Sequence, residues 1–261
     1  MTTNKKIKNN FKRIILFSSL NGGTGKSFIA KYIAKTYGIK SKVGLIDSDI
    51  NSLGLTSHMP ISKIKDIIDF GKETERLKRI ESKTDSHGNT IVYPLDYPSD
   101  YFGKEYKTES KFKFISPGLL DIGSVLLGVR GAKLSSIVRL LINDVSWGEL
   151  DYLLIDTPSG LSDIELTLLD DFPNSEILFV SNGNMIADKR KIEYYCNRGI
   201  KILCLVFNEH TAIDHLVKFT MLEFNLDNAE DKKKYINFCI KEYETFCKDL
   251  SIDFIALREN K

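Results

Sequence analysis

With 261 residues, 37 Lys and Arg against 35 Asp and Glu, and 42% hydrophobic residues, the chain has room for one large α/β domain or two small ones. The near-neutral balance argues against a general polyanion binder. No run approaches the roughly 20 apolar residues of a membrane-spanning helix. Cys196, Cys204, Cys239 and Cys247 form no C-x-x-C pair, which points to free thiols in a reducing, cytoplasmic compartment.

Residues 1–12 read as a basic arm, since Lys5, Lys6, Lys8 and Lys12 occur there without an acid. The apolar run that follows, Ile14 to Phe17, is too short for a signal peptide and has the length of a buried strand. It leads at once into Ser19-Leu20-Asn21-Gly22-Gly23-Thr24-Gly25-Lys26-Ser27. "KSFIAKYIAKTYG" then shows helical spacing, with Gly38 as a stop signal. "KVGLIDSD" (42–49) is a second strand ending in two carboxylates. From about 60 to 110 the text becomes charge-rich and proline-bearing, with a helix expected over 61–79, and reads as a divergent insertion. A short strand in "KFKFISPGLL", an amphipathic helix in "KLSSIVRLLIND" and a buried strand in "LDYLLIDTPSG" follow. "SEILFVSN" and "GIKILCLVFN" are further buried strands, separated by the helical "NMIADKRKIEYYCNR", and "SIDFIALRENK" carries a last strand. Nearly continuous apolar strands alternating with helices predict an α/β fold with a mostly parallel sheet covered on both faces. The segment 13–258 is expected to be a single domain.

The glycine loop sits between strand and helix, the context in which backbone N–H groups cradle a phosphate. Gly22, Gly23 and Gly25 permit the tight turn, with Thr24 between them; Lys26 brings a cation to the phosphates and Ser27 a hydroxyl to Mg²⁺. A plain structural glycine turn is the competing reading, because Leu20 stands where the usual pattern has glycine. Asp156 is delivered to the C-terminal end of an apolar strand, where α/β sheets bind ligands, and Asp47 and Asp49 end another. Strand-end aspartates are individually common for turn reasons. Their coincidence with the loop points to Mg²⁺ and a nucleotide.

From "GGTGKS" through "LIDSDINSLGL" to "LLIDTPSG" the sequence resembles the deviant-Walker ATPases of the MinD/ParA class. Within it the chain most resembles the Mrp/Nbp branch of iron–sulfur cluster carriers, above all in "VRGAKLSSIVRLLINDVSWGELDYLLIDTPSGLSDIELTLL" (129–169). The resemblance covers about residues 12–208 and implies a three-layer P-loop NTPase fold binding ATP and Mg²⁺ with slow hydrolysis. It implies Lys26, Asp49 and Asp156 as catalytic residues, with Asp49 orienting water. Gly22, Gly23, Thr24, Gly25, Lys26, Ser27 and Phe28 would bind the nucleotide, Asn208 would read the adenine edge, and Ser27, Asp47 and Asp156 would serve the metal. Gly160 falls in switch II. A nucleotide-switched role in metal-centre assembly follows, with a homodimer and a protein client or assembly partner.

Two features depart from that pattern. The family's signature lysine, which reaches a partner subunit's phosphates, is Asn21 here, and an amide supplies no positive charge. No C-x-x-C follows the adenine strand, which puts iron–sulfur cluster binding by this chain in doubt. Cys239 and Cys247 lie eight residues apart on an expected helix, about 12 Å of rise, and read as small buried hydrophobes. His210, Asp214 and His215 lack a clear further ligand and read as surface. "NMIADKRK" raises DNA binding, but interleaved acids favour a solvated face. Two alternatives stay open: a ParA/MinD-like positioning ATPase, and an ATP-gated adaptor without turnover.

Overall fold

The computed structural model describes residues 9–49, 55, 82–84, 90–92, 95–97, 112–116, 132–211 and 229–257. Two compact units emerge: Met1–Ile14, Ser27–Thr157 and Asp163–Leu168 in the first; Ile15–Lys26, Pro158–Ser162 and Leu169–Lys261 in the second.

In the first unit, the opening half of β1 (Asn10–Ser18) lies beside β7 (Glu149–Asp156), followed by β2 (Val43–Asp47), β6 (Phe112–Ile115) and β5 (Leu95–Tyr97). β2 runs parallel to β7 and to β6, whereas β5 pairs antiparallel on the edge. Every residue of β2 is buried, as expected of a strand covered on both faces. Gly44 in β2 permits a close approach: a Cβ there would fall 2.9 Å from the ring of Trp147 and 2.6 Å from Leu150. Trp147 is fully buried, its indole N–H donating to the Leu141 carbonyl at 2.9 Å. A separate antiparallel pair, β3 (Ser82–Thr84) and β4 (Thr90–Val92), falls within the expected insertion. The helix expected over 61–79 lies outside the described residues.

The strand β1 begins at Asn10, four residues before the expected apolar run. Polar residues take part because their side chains have partners there. Lys12 pairs with Asp151 at 2.7 Å, and the Asn9 side chain accepts from the Trp147 and Gly148 N–H groups. α1 (Lys26–Tyr37) turns Ile29, Ala30 and Ala34 inward. Phe28 and Tyr32 are also apolar and at helical spacing within "KSFIAKYIAKTYG", yet they stand exposed at 68% and 60%. They are four residues apart and therefore share the opposite stripe of the helix. α2 (Ala132–Asn143) buries Leu134, Val138, Leu141 and Ile142 at helical spacing.

In the second unit, the closing half of β1 pairs parallel with β8 (Glu176–Ser181), β8 with β9 (Lys201–Asn208), and β9 with β10 (Asp253–Leu257). β8 is wholly buried, and Leu16, Phe17, Phe179, Leu205 and Phe207 are 0% exposed. Each such side chain contributes roughly 1.5–3 kcal/mol relative to exposure. α4 (Met185–Asn197) joins β8 to β9, and α5 (Ala229–Asp249) precedes β10. α3 (Asp163–Asp171) begins in the first unit and ends in the second. Among the described residues no helix is long and apolar enough to cross a membrane.

Candidate functional site

Three acids come to one sheet end of the first unit. Parallel pairing sets Asp47 opposite Asp156, so the ladder register alone places two fully buried carboxylates side by side at the C-terminal ends of β2 and β7. The crossing is fastened by Ser48, whose N–H and Oγ both donate to the Asp156 carbonyl, at 2.9 and 2.7 Å. Asp47 Oδ1 accepts the Asp49 N–H at 3.1 Å, and Oδ2 accepts from Ser116 Oγ at 3.3 Å. Asp49 itself is half-buried. Just beyond Asp156, Thr157 donates to the buried Glu165 at 3.3 Å. Ser27, at the start of α1, also belongs to this unit. Carboxylates and a hydroxyl are hard oxygen donors of the kind Mg²⁺ takes.

The second unit holds the loop. Gly23 and Gly25 have φ of +73° and +83°, the left-handed backbone that only glycine adopts freely. Thr24 is buried between them and Lys26 is 8% exposed. Asn208, at the end of β9, donates from Nδ2 to the Thr24 carbonyl at 2.9 Å. That carbonyl only accepts, so the amide nitrogen is the atom facing it. Asn208 Oδ1 is then a buried acceptor with no hydrogen-bond donor among the described residues. Thr211 Oγ1 also donates to the Thr24 carbonyl, at 3.3 Å. Gly160 takes φ of +80° and donates its N–H to Ser19 O at 3.0 Å. Asn21 is half-buried, and its carbonyl accepts from Ser19 Oγ at 2.9 Å.

"NMIADKRK" corrects the sequence reading, which took it for a solvated basic face. Asp188, Lys191, Ile192 and Tyr195 form a buried stripe along α4. Lys189 pairs with Glu242 of α5 at 3.3 Å and lies over the Phe246 ring. The spacing of those four residues is helical and would have located the stripe, had two charged members not marked it as surface. Asp188 is 1% exposed and accepts from Ser181 Oγ and from Tyr243 OH, the latter at 2.8 Å. Burial pushes its carboxyl up from the ordinary 3.8 to about 6, against the hydrogen bonds and the nearby Lys191, which lower it. Tyr243, Tyr235 and Cys239 of α5 also face it. Since the folded value lies above the ordinary one, the proton favours the folded state. The stabilising contribution is complete below about 3.8 and is lost as pH rises through 6, by ~3 kcal/mol. Denaturation of the wild type and of Asp188→Asn from pH 4 to 8 should show the variant gaining about that much relative to wild type. A difference constant with pH would mean that Asp188 is not the group that titrates.

Cys204, Cys239 and Cys247 are packing residues here. Cys239 and Cys247 are 0% and 1% exposed on α5, and burial pushes both thiols up to about 11 and that of Cys204 up to about 12. Such thiols are protonated at neutral pH and are poor metal ligands. Among the described residues no group of three or more His, Cys, Asp or Glu is placed to hold a metal ion. His210 is exposed, and Asp214 and His215 lie outside the described residues.

Residues 104–240 match a family model described as ParA, NUBPL iron-transfer P-loop NTPase. The chain is 30% identical over 206 residues to the cytosolic Fe-S cluster assembly factor CFD1 of Kluyveromyces lactis, covering 76% of this chain and 63% of that protein. It is 32% identical over 175 residues to an iron-sulfur cluster carrier protein of Clostridium perfringens, covering 66% and 53%. The chain thus spans between about half and just under two thirds of these relatives' lengths. The nucleotide-binding protein from Archaeoglobus fulgidus, solved in complex with ADP, superposes with a TM-score of 0.58 at 18% identity, over 96% of this chain and 83% of that one. The three-layer α/β fold is therefore shared with that protein.

Proposed function

The chain belongs to the ParA family of P-loop NTPases, and from that premise we propose that it is a Mg-ATP-binding switch with slow ATP hydrolysis, serving iron–sulfur cluster or other metal-centre assembly. Residues 13–258 act in this reading as one P-loop ATPase domain. The observation that carries it is Asn208: its amide nitrogen donates to the glycine loop, and its buried Oδ1 accepts from no donor among the described residues. The exocyclic amine of adenine is a donor suited to that oxygen, whereas guanine offers a carbonyl in the equivalent place and would be repelled.

Each residue then has a task. Lys26 and the loop amides stabilise phosphate charge, and Ser27, with Asp47 and Asp156 through water, provides the oxygen set for the metal. Asp49 orients the attacking water. Magnesium, when bound, supplies neutralisation of the phosphate oxygens. The cluster or metal is cargo: with its own buried thiols protonated, the chain acts on a partner or client that supplies the ligands. The two nucleotide states are what such a partner reads.

The test is nucleotide affinity in wild type and Asn208→Ala. We expect ATP to bind about 10-fold or more weaker to the variant and its preference over GTP to narrow. An unchanged preference would remove Asn208 from base recognition and with it the main support for ATP. Asn21, in place of a cation, favours one second reading, an ATP-gated adaptor that binds without turnover.

A further inference from the structure

We propose that Lys191 is the positioning residue of switch II: its ammonium ties the Gly160 carbonyl to the base of the glycine loop and so sets where Pro158–Ser162 stands. Lys191 projects from α4 and is 6% exposed. Its Nζ donates to Gly160 O at 2.7 Å, Ser18 Oγ at 2.8 Å and Ser19 O at 3.1 Å. Three ammonium protons meet three acceptors. The Phe179 and Tyr195 rings flank the cation at 5.8 and 5.5 Å, and Tyr195 OH lies 2.9 Å from Ser18 Oγ. Asp188, one helical turn earlier, is the acid whose charge bears on it.

Burying a lysine is costly unless the charge is fully partnered, and the partners here are specific. Gly160 is gripped at both ends of one residue. Its N–H donates to Ser19 O, and its C=O accepts from Lys191, which also donates to Ser19 O. The Gly160 backbone, at φ +80°, cannot leave this place without breaking a charge-assisted hydrogen bond as well as an ordinary one. Having spent its donors on the loop base, Lys191 is not a phosphate ligand and does not replace the cation missing at Asn21. It acts instead on the equilibrium between two placements of switch II. α4 is in turn held to α5 through Asp188 and Tyr243, so a movement of switch II is resisted by both helices.

The coupling to nucleotide rests on the ATP-switch reading above, but the strut itself does not, and two measurements separate them. The first is amide hydrogen exchange at Gly160 in protein without added nucleotide, for wild type and Lys191→Met. Exchange at Gly160 should accelerate about 10-fold in the variant while the β8 amides keep their wild-type rates. The second is the ratio of affinities for ADP and a non-hydrolysable ATP analogue, which should shift several-fold because the two states of the switch are no longer biased alike. A folded variant with unchanged Gly160 exchange overturns the proposal, as does acceleration equal at Gly160 and β8. If Lys191→Met does not fold, Ser18→Ala decides. It removes one acceptor and should speed Gly160 exchange with β8 unaffected; no change at Gly160 overturns the proposal. Should Gly160 accelerate while neither nucleotide binds either protein, the strut stands and the ATP reading fails.

Discussion

Asp49→Ala should lower ATP turnover by about a thousandfold while leaving the fold and nucleotide affinity close to wild type. The three strand-end acids are not equivalent. Asp47 and Asp156 are fully buried and paired in register, and the backbone around them is fastened by Ser48, so truncating either leaves a buried polar gap and costs stability as well as chemistry. Asp49 is half-buried beyond the end of β2, where a smaller side chain opens no cavity in the core. Its N–H bond to Asp47 Oδ1 belongs to the backbone and survives the substitution. What is lost is the carboxylate to which the proposed function assigns the orienting of water, and such a role acts on turnover and not on binding. The measurement is phosphate release with Mg²⁺ over a range of protein concentrations, beside equilibrium binding of ATP. A rate per molecule that rises with concentration points to an assembled dimer despite Asn21. Undiminished turnover in the variant would move the water-orienting role to another residue. Nucleotide binding without turnover in the wild type would select the adaptor reading.

The strands were legible in the sequence because they are nearly continuous apolar runs, and β2, β7, β8 and β9 fall where those runs predict. The carboxylates were legible for the same reason: an acid at the end of an apolar run is an acid at the end of a buried strand, and parallel register does the rest. Spacing alone did not reveal the local polar fastenings, because they join residues far apart in the chain: Asn9 to Trp147, Ser48 to Asp156, Ser116 to Asp47. Lys191 was missed for a different reason. Charge in a helix is ordinarily a surface signal, and three basic residues within "DKRK" reinforce it. Each in fact has its own surroundings: Lys189 against α5, Arg190 in solvent and Lys191 in the interior. Phe28 and Tyr32 show the converse error, apolar residues at helical spacing that lie on the outer stripe of α1.

Gly25→Ala should couple two losses that a glycine-to-alanine change seldom combines. The φ of +83° carries a cost of ~1–2 kcal/mol for any residue with a Cβ. The added carbon would also fall 2.5 Å from Asn208 Nδ2, the atom that donates to the Thr24 carbonyl. Either the loop shifts or Asn208 leaves its partner, and both displace the acceptor Oδ1 from the place assigned to adenine. We expect ATP affinity to fall about 100-fold and the ATP preference over GTP to disappear with it. Gly22→Ala is the control for stability. Gly22 is absent from the positive-φ glycines, and its added Cβ would come only within 3.7 Å of Ser159 Oγ, an ordinary contact. Its unfolding free energy should stay within ~0.5 kcal/mol of wild type. The decisive measurement is a double-mutant cycle in unfolding free energy with Gly25→Ala and Asn208→Ala. Removing Nδ2 removes the atom in the way, so the second substitution should cost ~1 kcal/mol less in the presence of the first than alone. Strict additivity would mean that strain at φ +83° is the whole effect, and that Gly25 serves the turn but not the seating of Asn208.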